Sequence, residues 1–144
     1  MCIRDRTCTT QFPLDAKSPL TDKDGKSIVQ SMRTGGFAEK VLVHESQCVA
    51  VPTNIPFSSA SLLACGVITG FGAVTNTAKV PAGSHVAVIG TGGVGLNAIQ
   101  GAHVSGARSV IAIDIADNKI EAAKGFGATH GINSKTENLS LIHI

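Results

Sequence analysis

Residues 85–95, HVAVIGTGGVG, join a short apolar run to a glycine-rich turn, and they decide the fold. His85–Ile89 carries almost no polar side chains after its first residue, a pattern that is typical of a strand buried on both faces. Gly90–Gly95 follows at once, and four glycines within six residues predict a tight strand-to-helix connection. The stretch therefore predicts the first strand and first turn of an α/β unit.

The residues that follow continue this pattern, with helices and strands in alternation. Val94–Ser105 has helical apolar spacing, and Ser109–Ile113 is a second continuous apolar strand that ends at Asp114. Asp117 is a candidate N-cap of another helix, and a third short strand begins near Thr129. The order β-α-β-α-β predicts a doubly wound parallel sheet of α/β class, present here in part.

The residues before this unit predict a β-rich lobe. Asp22–Gly25, DKDG, is predicted to be a turn. Phe37, Val41 and Val43 fit one strand, and Cys48–Pro52 fits a second strand that proline closes.

A helical region is predicted between the β-rich lobe and the parallel sheet. Ser58 or Ser59 is the predicted N-cap of a helix that runs through Ala64, and Ala73–Lys79 is predicted to be a second helical stretch. Between them the chain is expected to be loosened by three glycines, at positions 66, 70 and 72.

The glycine turn has the form G-x-G-x-x-G, and its context gives it a physical interpretation. Gly90 permits the tight turn, Gly92 lets a pyrophosphate approach the backbone, and Gly95 lets the helix pack closely on the sheet. The free amides of the helix N-terminus attract phosphate charge. Asp114 can accept hydrogen bonds from the ribose hydroxyls and would repel a 2′-phosphate, which predicts NAD rather than NADP. Lys119 either reaches the ribose or is an exposed helix lysine.

Composition and charge argue against several other classes of protein. The net charge is +2 without a basic cluster, which predicts no nucleic-acid partner. No uninterrupted apolar run reaches the roughly 18 residues of a membrane span, so we expect no membrane partner. Cys8, Cys48 and Cys65 are widely spaced without a CxxC motif, which indicates neither a zinc knuckle nor a disulfide framework and favours the cytoplasm.

Several spaced motifs together resemble one enzyme family. In chain order they are LLACGVITGFG, NTAKVPAGS, GTGGVG and VIAIDI, and the resemblance runs from about Gly36 to Asn133. This combination resembles the zinc-dependent alcohol dehydrogenases of the medium-chain dehydrogenase family, in the branch of the classical and glutathione-dependent formaldehyde dehydrogenases. The resemblance implies a Rossmann domain that follows a GroES-like catalytic domain.

The resemblance also implies roles for individual residues. Taken by itself, Cys65 could be a small buried hydrophobe, but in the family pattern it is a catalytic zinc ligand. Thr69 matches a catalytic-site threonine beside the nicotinamide. The remaining cofactor-binding positions share the turn and the strand that follows it, and they are Gly90, Gly92, Gly93, Val94, Gly95, Asp114, Ile115 and Lys119.

The implied activity is hydride transfer between an alcohol, or an aldehyde adduct, and NAD, with zinc as the Lewis acid. The family's other zinc ligands and proton relay are absent from this sequence, so we expect the chain alone to be inactive. The resemblance further implies a homodimer or homotetramer. Two alternatives are a zinc-free quinone or enone reductase, which usually lacks a cysteine at position 65, and a non-catalytic nucleotide-binding module.

The two ends of the chain are expected to be foreign to the fold. Residues 139–144, LSLIHI, can be encoded by CTG TCT CTT ATA CAC ATC, and the reverse complement of that string contains codons for residues 1–5, MCIRD, and two bases of a codon that A or G completes to Arg6. The string resembles the mosaic-end adapter of transposase-based sequencing libraries. We therefore expect residues 7–72 to end the catalytic domain with its connecting helix and residues 73–138 to begin the NAD-binding domain.

Overall fold

The computed structural model describes residues 20–29, 36–41 and 43–137. The chain divides into two units between Pro52 and Thr53. This division places the helical region in the same unit as the parallel sheet, whereas the sequence interpretation assigned its first part to the preceding domain. The predicted adapter-derived ends lie outside the described residues, and so does Cys8.

The first unit contains one predicted turn. Thr21 and Ser27 form an antiparallel bridge, and Gly25 takes the left-handed conformation, with φ +79°. The Asp22 carboxylate accepts hydrogen bonds from the amides of Asp24 and Lys26, at 2.9 and 2.8 Å. The prediction of a turn here is confirmed.

The two strands predicted from Phe37 to Pro52 are not formed in the described part of that range. Residues 37–40 form bends, Glu45–Gln47 is a short 3-10 turn, and residues 48–52 have no ladder partner. The backbone at Cys48 is extended, but a strand also requires a paired neighbour. Val41 and Val49 are accordingly exposed.

The second unit contains the predicted parallel sheet. β1 (His85–Ile89), α3 (Gly93–Val104), β2 (Ser109–Asp114), α4 (Asp117–Gly125) and β3 (His130–Asn133) follow one another in that order. The strands lie side by side as β1-β2-β3 and both pairings are parallel. The prediction of a β-α-β-α-β unit is confirmed. The candidate cap Asp117 is the first residue of α4, and Ala116 occupies the cap position.

The main core lies where α3 and α4 pack on the central strand. All six residues of β2 are buried, because the strand has a neighbour on each side and apolar contacts on its faces. Ile99 and Ala102 of α3 and Ala123 of α4 join Val110 and Ala112 in one buried cluster. This core fixes the carboxyl end of β2, where Asp114 lies, relative to the first turn of α3.

The region before the sheet is one nearly continuous helical run instead of two helices separated by a loose segment. Its glycines lie within helical turns: Gly66 is part of a wider π-type turn, and Gly70 and Gly72 are part of an α-helical segment. The first helix begins at Phe57 with Pro56 at the cap position, so the predicted caps Ser58 and Ser59 were wrong. The segments are α1 Phe57–Leu62, a π-turn Leu63–Val67, α2 Ile68–Gly72 and a π-turn Ala73–Ala78.

The continuity of this run gives it the length of a membrane span. Phe57–Thr77 is 21 residues long, with a mean hydropathy of 1.6, and by length and composition alone it could cross a membrane. Serine, threonine and asparagine interrupt it, so it is not the uninterrupted apolar run that the sequence was expected to lack. One side of the run packs on α3: a methyl group at Gly70 would lie 2.8 Å from the Ala98 amide nitrogen. A helix that packs against protein can pass the same test of length and composition.

Candidate functional site

The glycine turn brings the end of β1 against the start of α3. Gly90 has φ +88°, a left-handed conformation that favours glycine, and its amide donates to the Ile113 carbonyl at 2.8 Å. A Cβ atom at Gly95 would overlap the carbonyl oxygen of Gly90. Both glycines are thus required for a tight turn and for close packing of the helix on it, as the sequence predicted.

The middle of the turn faces open space. Nothing lies within 4 Å of the position that a Cβ atom would take at Gly92 or at Gly93. Gly92 is the N-cap of α3 and provides no side-chain cap, so the amides of the first helical turn are available for an external acceptor. A bare backbone at the N-terminus of a 12-residue helix can accommodate and attract an anion.

Asp114 lies opposite this turn at the end of β2, and it is only 8% exposed. Its Oδ2 atom accepts hydrogen bonds from the amide of Thr91, at 2.8 Å, and from the hydroxyl of Thr91, at 3.0 Å. Its Oδ1 atom accepts from the amides of Ile115, at 2.8 Å, and Ala116, at 3.2 Å. Four donors therefore hold one carboxylate at the rim of the turn.

These contacts keep the carboxylate charged. The hydrogen bond from the Thr91 amide is the largest cause that lowers the pKa of Asp114 below its ordinary value of 3.8, and partial burial opposes it. The Thr91 hydroxyl, the Ile115 amide and the positive charge of Lys119 lower the pKa further. Hydrogen bonds to the charged form favour that form, so Asp114 presents a negative charge at neutral pH.

Packing of the helical run on α3 brings Thr69 close to the glycine turn. At the neighbouring residue Gly70, a Cβ atom would overlap the carbonyl oxygen of Val94 and lie 2.9 Å from the Cβ atom of Asn97. Thr69 is half-buried at this contact. The chain therefore places a predicted catalytic-site threonine beside the first turn of α3.

Cys65 lies one helical turn before Thr69, within the π-turn Leu63–Val67. Its thiol is free and the residue is exposed. The described residues include no group of three or more His, Cys, Asp or Glu side chains that could hold a metal ion. Because catalytic zinc requires three protein ligands, these residues do not by themselves form a zinc centre.

The last two predicted cofactor residues flank Asp114 on its downstream side. Ile115 is 69% exposed, which suits an apolar contact with a ligand more than a place in the core. Lys119 is exposed on the first turn of α4, and its positive charge acts on Asp114. Thr91 was not among the predicted site residues. Its signal in the sequence was a polar residue between two glycines, and in the structure its side chain is buried.

Comparison with known proteins assigns the family. The family model described as zinc-binding dehydrogenase matches residues 93–142. The chain is 46% identical over 133 residues to alcohol dehydrogenase class-3 of Pisum sativum, across 92% of this chain. The chain belongs to the zinc-binding dehydrogenase family. The chain is also 47% identical over 120 residues to a probable S-(hydroxymethyl)glutathione dehydrogenase of Schizosaccharomyces pombe, across 83% of this chain.

Solved structures of this family share the fold. Benzyl alcohol dehydrogenase from Acinetobacter calcoaceticus matches with a TM-score of 0.76 and 34% identity, over 95% of this chain and 40% of that one. The chain spans about a third of the length of the two curated relatives, 35% of the Pisum protein and 32% of the Schizosaccharomyces protein. The chain therefore matches one portion of these relatives.

Proposed function

We propose that this portion holds the adenosine and pyrophosphate half of NAD in an alcohol dehydrogenase that acts on a primary alcohol or an aldehyde adduct. The observation that carries the proposal is the pairing of an open glycine turn with a fixed, charged Asp114. NAD, when bound, supplies the hydride acceptor of the reaction.

The residues of the chain bind and orient the dinucleotide. The amides at the start of α3 attract the pyrophosphate, and Gly92 and Gly93 leave it room. Asp114 accepts hydrogen bonds from the ribose and repels a 2′-phosphate, which favours NAD over NADP. Val94 and Thr69 lie on the side toward the nicotinamide, and Ile115 and Lys119 flank the adenosine.

Cys65 is the one residue of this chain that we propose as a zinc ligand. Its exposed thiol is available as one ligand, and the other ligands would come from outside the described residues. We derive no chemical step through zinc from this chain. A zinc-free quinone or enone reductase remains the alternative, and the similarity to alcohol dehydrogenases together with Cys65 supports the zinc-dependent class.

The nature of the substrate and the partners is also proposed by analogy. Relatives carry names that include S-(hydroxymethyl)glutathione and benzyl alcohol, so the substrate is an alcohol of this broad kind. A homodimer or homotetramer in the cytoplasm, without nucleic acid or membrane as partner, completes the proposal. Free thiols at Cys48 and Cys65 agree with a reducing compartment.

Calorimetric titration of the chain with NAD and NADP tests the proposal. We expect NAD to bind about tenfold more tightly than NADP, because the charge of Asp114 opposes the added phosphate. Gly92→Ala should weaken NAD binding by about tenfold or more while the fold persists, since its methyl group enters the space reserved for the pyrophosphate.

Gly125→Ala is the matched control. Gly125 also faces open space, has no left-handed φ and lies at the far end of α4. NAD affinity should therefore remain that of the unsubstituted chain. Equal binding of both dinucleotides, or a Gly92→Ala chain that binds NAD normally, would contradict the proposed site.

A further inference from the structure

Thr91 is a buried polar side chain that the G-x-G-x-x-G pattern does not require. It is 2% exposed, and it lies between the two glycines that shape the turn. A buried hydroxyl without a partner is costly, so the bonds it makes define its role. Its hydroxyl and its own amide both donate to the same atom, Oδ2 of Asp114.

The two carboxylate oxygens of Asp114 consequently accept hydrogen bonds from different parts of the chain. Oδ2 receives two donors from Thr91, at 2.8 and 3.0 Å, and both come from the glycine turn. Oδ1 receives the Ile115 amide at 2.8 Å and the Ala116 amide at the longer distance of 3.2 Å. A carboxylate offers about four acceptor positions. The four donors take up about that number, and the longest contact is the one from the Ala116 amide to Oδ1, so a ribose hydroxyl would most easily take the place of that contact.

We propose that Thr91 is a positioning residue of the dinucleotide site: its hydroxyl holds Oδ2 of Asp114 on the glycine turn, so that the ribose is received at Oδ1 in place of the long contact from Ala116. The inference rests on the proposed function, because it assumes that the ribose binds at Asp114. Thr91 joins the part of the site that faces the pyrophosphate to the part that faces the sugar, so both are held in one arrangement. A side chain without a hydroxyl would leave the carboxylate with one fewer restraint on its rotation.

The test compares Thr91→Val with Thr91→Ser in the full chain. Valine keeps the shape and the amide but removes the hydroxyl, whereas serine keeps the hydroxyl. The two ligands are NAD and its analogue with 2′-deoxyribose on the adenosine. Loss of one hydrogen bond to a charged group predicts that Thr91→Val weakens NAD binding about tenfold, and that Thr91→Ser returns it to within about threefold.

The deoxy analogue separates positioning from general damage to the fold. It lacks one of the hydroxyls that Asp114 would receive, so Thr91→Val should affect its binding less than that of NAD. Thr129→Val is the matched control: the Thr129 hydroxyl accepts from the Val110 amide at 2.9 Å, donates to the Val110 carbonyl at 3.1 Å, lies 2.8 Å from Nδ1 of His130 and does not touch Asp114. If Thr91→Val prevents folding, Thr91→Ala removes the same hydroxyl without adding bulk and repeats the comparison.

A second measurement distinguishes failure of this inference from failure of the proposed function. The carboxyl carbon of Asp114 is followed through a pH titration by NMR in each variant, without dinucleotide. The pKa should rise in Thr91→Val, return in Thr91→Ser and stay unchanged in Thr129→Val. If the unsubstituted chain binds neither ligand, the proposed function fails, whatever the titration reports. If NAD binding is unchanged or tighter in Thr91→Val, or if both ligands weaken equally, the positioning role is overturned.

Discussion

At the scale of single residues, Asp114 should measurably change how the stability of the chain depends on pH. Its pKa in the folded chain lies below the ordinary value of 3.8, so the unfolded chain binds more protons as the pH falls. The stabilisation is therefore fully present above the ordinary pKa and is lost as the pH falls through the folded pKa. The thermal midpoint of the unsubstituted chain should drop more steeply than that of Asp114→Asn between about pH 5 and pH 2.

Glu121→Gln is the control for this prediction. Glu121 pairs with Lys124 on the exposed surface of α4, where ion pairs contribute little. Its removal should leave the acid limb of the profile unchanged. Parallel profiles for the unsubstituted chain and Asp114→Asn would show that the hydrogen bonds of Asp114 do not favour its charged form.

The glycine turn offers a second prediction at residue scale. Gly95→Ala would push a methyl group into the carbonyl oxygen of Gly90, a backbone atom that cannot move without opening the turn. We expect a loss of about 2–4 kcal/mol in the free energy of unfolding, measured with urea. Gly93→Ala, which faces open space on the same helix, should change stability far less. Similar losses in both variants would contradict the packing described here.

At the scale of elements, Lys79 ends the helical run in a strained conformation. It has φ 49° and ψ 50°, a left-handed geometry in which a side chain with a Cβ is disfavoured. Lys79→Gly should therefore stabilise the chain by about 0.5–1 kcal/mol, although glycine also gains freedom in the unfolded state. Ala122→Gly, on the exposed side of α4, should instead cost about 1 kcal/mol. Urea unfolding of the two variants should shift in opposite directions, and a shared direction would contradict the assignment at Lys79.

The elements also show which parts of the fold the sequence could predict. β1 and β2 were predictable as strands because each is a continuous apolar run that ends at glycine or aspartate. β2 is buried along its whole length, but the prediction that β1 is buried on both faces was wrong: His85, Ala87 and Ile89 are exposed, because in the described residues β1 has a neighbouring strand on one side alone. The helical run was misinterpreted because Gly70 was treated as a breaker. In the structure Gly70 permits the close approach of two helix backbones, a property of the pair of helices that one stretch of sequence does not contain. Strand formation near Val41 likewise depends on a partner strand.

The same distinction applies to the candidate site. Gly90, Gly95 and Asp114 were predictable because backbone geometry and charge restrict which residues can serve at those positions. Thr91 was not, because the motif leaves its position free and its importance comes from a contact with a residue on the next strand. Motif positions that carry no required residue can thus acquire a role through the fold.

At the scale of the whole molecule, we expect this chain to bind the dinucleotide without catalysing a reaction. The proposed nucleotide-binding residues lie in one unit with its own core, so NAD should stabilise the chain against thermal unfolding. A ligand that binds the folded state alone adds about 2.7 kcal/mol at one hundred times its dissociation constant. NADP at the same concentration should add less, because Asp114 opposes its extra phosphate.

Added zinc should change neither stability nor activity in the same experiment. The described residues offer no three-ligand group, and Cys65 provides a single exposed thiol. We therefore expect no reduction of NAD by alcohols when the chain, NAD and zinc are combined, as followed by absorbance of the reduced cofactor. Turnover under these conditions would mean that residues outside the described part complete a metal centre. Stabilisation by NAD without turnover would show that the chain binds the cofactor without forming a complete metal centre.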